Sequence, residues 1–152
     1  MSRATVLLLT LGLLSFDSRP AVAQFVTFTV TASPGAMIIN AVPAAGSQPS
    51  SDTDASTSYR YTSLFAPRKK ITAQLNAPMP TGMTLTATFA AAGGGTSTGP
   101  IALDATARNM VISMGAALGS TSAITYVLSA TVAAGVVASQ TRTVTLTLLN
   151  YP

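Results

Sequence analysis

A chain of 152 residues with a net charge of +4 has room for one domain with a proper core, and only 8% of it is charged. His, Cys and Glu are absent throughout, which removes the side chains that most proton-transfer, nucleophilic and zinc chemistry draws on. With no Cys there is no disulfide, so stability has to come from strand pairing and burial.

The chain opens with a secretory leader pattern over residues 1–23. Arg3 supplies the positive start, VLLLTLGLL (6–14) is an apolar run too short to span a bilayer, and AVA (21–23) is an A-x-A cleavage pattern before Gln24. Cleavage leaves residues 24–152 as a single domain, exported and not membrane-spanning. Arg60, Arg68, Lys69, Lys70, Arg108 and Arg142 then face only Asp52, Asp54 and Asp104.

Strand signals follow one another. VTFTVTA (26–32) alternates Thr with apolar residues and stops at Ser33-Pro34-Gly35, where Pro presets φ and Gly permits a positive φ. AMIINAV (36–42) predicts a short second piece of strand. PAAGSQPSSDTDAS (43–56) has loop composition, and STSYRYTSLF (56–65) resumes a strand with Tyr59, Tyr61 and Ser63 on one face. In residues 68–91, KKITAQLN puts Ile71, Ala73 and Leu75 on one side, and MTLTATFA does the same with Met83, Leu85, Ala87 and Phe89. Pro78, Pro80 and Gly82 break pairing between them, which predicts a hairpin. AAGGGTSTGP (91–100) reads as a flexible loop. Its three glycines lack the Lys-Ser/Thr pair and following helix of a phosphate loop. IALDA and RNMVISM predict short strands around a turn at Asp104 to Arg108. AITYVLSATV (123–132) and TRTVTLTLL (141–149) predict a closing hairpin. Seven or eight strands without a helix amount to an all-β, immunoglobulin-like antiparallel two-sheet sandwich.

Each candidate for chemistry has a plainer explanation. Arg68-Lys69-Lys70, with Arg60 nearby, is a weak basic patch. Such charges block edge-to-edge aggregation, and nucleic-acid binding would need more of them plus stacking aromatics. Asp52 and Asp54 in a D-x-D are potential calcium ligands, but six or more oxygens are required, and an Asx-turn accounts for them. Joined by Asp104, the two would also be the only acids for catalysis, too few to nominate an enzyme. Tyr59, Tyr61 and Tyr126 suggest a sugar-binding face, yet Trp is absent and alternating tyrosines in a sandwich pack inward. An outer-membrane barrel would need aromatic girdles that the composition lacks. Neither a cofactor nor a metal is expected.

In layout the chain resembles bacterial fimbrial subunits of the chaperone–usher type. The resemblance rests on the leader, the alternating Val26, Phe28, Val30 and Ala32, the apolar run Met37 to Val42, the unit entered by Lys69-Lys70-Ile71, and an alternating last strand with Tyr151 next to last. It implies an incomplete sandwich completed by the N-terminal segment of another copy, with Val26, Phe28, Val30 and Ala32 as the donated contacts. The expected function is therefore that of an exported structural or adhesive surface protein, without a cofactor. Its partners would be other copies of itself or a surface or periplasmic protein. The alternative is a monomeric secreted or periplasmic binding module, because seven strands can be counted without borrowing one.

Overall fold

The computed structural model describes residues 23–152, so the leader read from residues 1–23 lies, Ala23 apart, outside the described residues. Nine strands follow in order: β1 (Phe25–Thr31), β2 (Asp52–Leu64), β3 (Lys69–Leu75), β4 (Met83–Phe89), β5 (Thr96–Ser97), β6 (Ile101–Ala102), β7 (Arg108–Met114), β8 (Ala117–Ala130) and β9 (Val144–Asn150). A single 3-10 turn, Val132–Ala134, interrupts them. The strands form a five-stranded sheet, β1-β2-β8-β4-β6, and a four-stranded sheet, β5-β7-β3-β9. Every pairing is antiparallel. The protein is a two-sheet, all-β sandwich, as its alternating pattern predicts. No described helix is long and apolar enough to cross a membrane.

The period-two pattern builds the core directly, because successive side chains in a strand point to opposite faces. Tyr59 and Tyr61 of β2, Ile71 and Leu75 of β3, Leu85 and Phe89 of β4, Met110 and Met114 of β7, and Ile124 and Leu128 of β8 interlock between the sheets. Fully burying each large side chain contributes about 1.5–3 kcal/mol. The threonines of β4, and the threonines and serines of β8 other than the buried Ser122, face outward or sit half-covered.

The two longest strands, β2 and β8, are bent by register shifts between Asp54 and Thr57 and between Tyr61 and Ser63. Such bulges add twist and let long strands wrap the core. Another irregularity falls in β7, where Ser113 has φ +59° opposite a shift in its pairing with β3. Arg68 Nη1 donates to both the carbonyl oxygen and Oγ of Ser113 at 2.8 Å, which ties the irregular strand to the entry of β3.

Four expectations are corrected. β3 and β4 do not form a hairpin: β3 pairs with β7 and β9, while β4 pairs with β8 and β6 in the other sheet. The loop with Pro78 and Pro80 crosses between layers rather than turning back within one. β8 and β9 likewise lie in different sheets. Residues 36–42 are irregular, and 52–56, expected in a loop, begin β2. Residues 52–54 are strand because they pair with 126–128 of β8, and their carboxylates hold the segment before them. The carboxylate of Asp52 accepts the Ile38 amide at 2.6 Å, and that of Asp54 accepts the Gly35 amide at 3.0 Å, so side chains take bonds that a neighbouring strand would otherwise supply.

The triple-glycine loop is also closely packed. A Cβ on Gly93 would lie 2.9 Å from the Tyr61 ring, and one on Gly95 would lie 2.7 Å from the Ile112 carbonyl oxygen. Gly115 N–H donates to the Gly93 carbonyl at 2.8 Å, and β5 pairs with β7. Glycine is used there for close approach of backbone to core, not for mobility.

Candidate functional site

Strand β1 is the outermost strand of the five-stranded sheet and β9 the outermost of the four-stranded sheet. Each is held by one neighbour among the described strands: β1 by β2 through seven residue pairs, and β9 by β3 through seven. The other backbone edge of each strand is an unpaired row of N–H and C=O groups, which can template a further strand.

Between these two edges the sandwich is open. A cleft of about 530 Å³ is lined by Phe28 and Val30 of β1, Val144 and Leu146 of β9, and Thr57 and Tyr126 at its floor. Val26 and Phe28 pack against the core from one side, and Val144, Leu146 and Leu148 from the other, all of them only partly covered. The Phe28 ring meets Tyr59 at a centroid distance of 5.9 Å, tilted by 50°, and Tyr59 meets Phe89 at 6.0 Å. Alternation in both strands therefore aims two apolar rows at one seam.

The floor is polar in an unusual way. Thr57 is 2% exposed, and its Oγ1 has no hydrogen-bond partner among the described residues. The adjacent Tyr126 hydroxyl is pushed up to about 12, first by burial and then by the negative charge of Asp54. It stays a neutral phenol at any physiological pH.

The four residues expected to carry strand donation divide. Val26 and Phe28 dip toward the core, Val30 is 45% exposed at the rim of the cleft, and Ala32 lies beyond β1 with φ +63°. Here Val26, Phe28 and Val30 belong to a strand paired within its own chain. The expected basic patch draws on both sheets. Arg60 projects from the outer face of β2, over Gly119 of β8, whereas Lys69 and Lys70 belong to β3 in the other sheet. Lys69 Nζ donates to Asn150 Oδ1 at 2.5 Å, and Arg68 is taken up by Ser113.

Among the described residues no three His, Cys, Asp or Glu side chains gather into a metal-binding group. Asp52 and Asp54 spend their oxygens on backbone amides of residues 35, 38, 53 and 56 and on the Ser56 hydroxyl. Asp104 instead closes its own turn, accepting from the Thr106 amide and pairing with Arg108. Its carboxyl is held below the usual value first by the Arg108 hydrogen bond and then by the Thr106 amide. The tyrosines are core residues: Tyr59 OH donates to the Ala90 carbonyl at 2.5 Å and Tyr61 OH to that of Gly115 at 3.2 Å.

No family model, curated protein or solved structure matches this chain. Sequence reasoning finds an alternating strand at each lip, residues 26–32 and 141–149, but pairs the second with 123–132, so the seam between the two escapes it. Thr57 and Tyr126 could not have been assigned to that cleft, because the register shift that aims Thr57 inward is a property of strand pairing.

Proposed function

We propose that the protein is an exported structural or adhesive surface protein whose copies join through residues 24–33. The observation that carries this reading is the state of β1. It is a seven-residue outer strand, attached on one side only, with alternate side chains half-inserted beside an open seam. A strand held in this way can leave its own sheet and be replaced by the same segment of another copy, which restores identical contacts and offers backbone hydrogen bonds along the way. The paucity of charge and the absence of His, Cys and Glu favour a structural role over a catalytic one.

A second reading, a closed monomeric binding module, is favoured by the complete register from Phe25–Leu64 to Thr31–Ser58 within one chain. Solution mass and thermal unfolding of residues 24–152 and 36–152 separate the two. Exchange between copies predicts concentration-dependent oligomers of the longer chain and rescue of the shorter one by added peptide QFVTFTVTASPG. A longer chain that stays a cooperative monomer at every concentration would overturn the assembly reading in favour of the closed module.

A further inference from the structure

A larger cleft opens at one end of the sandwich and meets the seam cleft at Arg142, which lines both. It encloses about 720 Å³, within the range of about 300–1,000 Å³ usual for small-molecule sites. Met37, Ile39, Met79, Met83, Leu128 and Val137 line it, and its walls are the irregular segments 36–42 and 131–142. Those walls are pinned in place. Ile38 N–H donates to Asp52 at 2.6 Å, Val132 N–H donates to Gln48 Oε1 at 2.9 Å, and Thr131 N–H donates to the Gly82 carbonyl at 2.8 Å.

Two features of this cleft point to a ligand. The first is exposed aliphatic surface: Ile38, Val42, Val132 and Val136 are all more than half exposed, and all four border it. A contiguous apolar patch of this kind marks a binding surface rather than the scattered exposure of an ordinary protein. The second is a single charge. Arg142, half-buried, is the only ionic side chain among the described residues of the lining. Its guanidinium is oriented by neutral oxygens alone, donating from Nε to the Pro78 carbonyl at 3.2 Å, from Nη1 to the Thr141 carbonyl at 3.1 Å and from Nη2 to Gln140 Oε1. The two carboxylates nearest in sequence to the walls, Asp52 and Asp54, are committed to backbone amides. A guanidinium has five N–H donors, so two remain for an anion.

We infer that this end cleft binds a free anionic amphiphile, a long-chain carboxylate whose tail lies among Met37, Met79 and Met83 and whose head meets Arg142. Methionine suits such a tail because its unbranched, polarizable side chain adapts to irregular apolar shapes. A concave end cleft between irregular walls favours one inserted chain over an added strand, and the lone cation supplies the charge complement.

The test is fluorescence titration of the purified exported protein with dansylaminoundecanoic acid, followed by competition with palmitate. Saturable binding displaced by palmitate is expected, weakened at least tenfold (about 1.4 kcal/mol) by Arg142→Gln and less by Arg142→Lys. Val136→Asp, at a fully exposed position that the fold does not need, should weaken it as well, and Arg60→Gln should leave it unchanged. Thermal unfolding of each variant establishes that the fold is kept. Equal affinity of the wild type for the uncharged dansyl amide, or equal affinity of Arg142→Gln for the acid, would overturn the inference. So would an absence of saturable binding, binding only to vesicles of anionic phospholipid, or a cleft blocked by dimerisation in sedimentation.

Discussion

Two buried hydroxyls on neighbouring strands should respond to deletion with opposite signs. Thr57 on β2 is 2% exposed and its Oγ1 is unpartnered, whereas Ser122 on β8 is 8% exposed and its Oγ donates to the Ala91 carbonyl at 2.9 Å. Burying a hydroxyl without a hydrogen bond costs about 1–3 kcal/mol. Thr57→Val removes that cost at nearly constant shape, so it should stabilise by about 1 kcal/mol and raise Tm by about 4 °C in a chain of this size. Ser122→Ala breaks a bond that is made, and should destabilise by about 1 kcal/mol. Valine also favours strands slightly, so Thr53→Val on the exposed side of β2 serves to measure propensity alone. Urea unfolding with an unchanged m-value is the assay. The reasoning fails if Thr57→Val, corrected by Thr53→Val, lowers stability. That result would mean the cleft supplies Thr57 with a water partner.

Phe28→Ala should cost about 2 kcal/mol, roughly half the loss at a fully buried Phe, because the ring packs on Tyr59 yet remains partly open. A loss in urea unfolding below about 0.5 kcal/mol would mean that β1 contributes no packing in solution. The Asp54 carboxyl is held below 3.8, first by the Gly35 amide and then by Ser56. Its folded-state value is thus the depressed one, so its contribution is complete above pH 4 or so and is lost as pH falls through the folded value. Tm followed from pH 6 to 2 should fall less steeply in Asp54→Asn, and parallel curves would contradict the clamp. The three glycines of 93–95 should differ: Gly94→Ala meets open space at φ +65° and costs about 1 kcal/mol. Gly93→Ala adds a clash with Tyr61, and Gly95→Ala drives a Cβ into the Ile112 carbonyl, so both should exceed it in thermal unfolding, with similar losses at all three refuting the close-packing account.

Much of this sandwich is legible because it rests on a local rule. Alternation placed Tyr59 and Tyr61, Ile71 and Leu75, and Leu85 and Phe89 on inward faces without reference to any partner strand. The same rule identified β1 as a strand with one apolar row. It misjudged residues 36–42, whose apolar run looks like a strand, because the Ile38 amide goes to the Asp52 carboxylate at the start of β2 instead of to a neighbouring strand. It also mistook glycines packed against Tyr61 and Ile112 for a flexible loop, since close approach between backbones is a long-range property.

The sequence by itself determined the all-β class and the inward-facing residues, because strand periodicity is written in adjacent positions and needs no knowledge of the neighbours. Only the tertiary structure decided pairing. β3 and β4, adjacent along the chain, lie in opposite sheets, and β1 and β9, far apart along it, face each other across one seam. The physical reason is that register and sheet assignment follow from which faces can be buried together once all strands are present. A short loop brings two strands close without obliging them to pair, and Arg142, unremarkable in a Thr-rich stretch, becomes the lone charge of an apolar cleft only when that choice has been made.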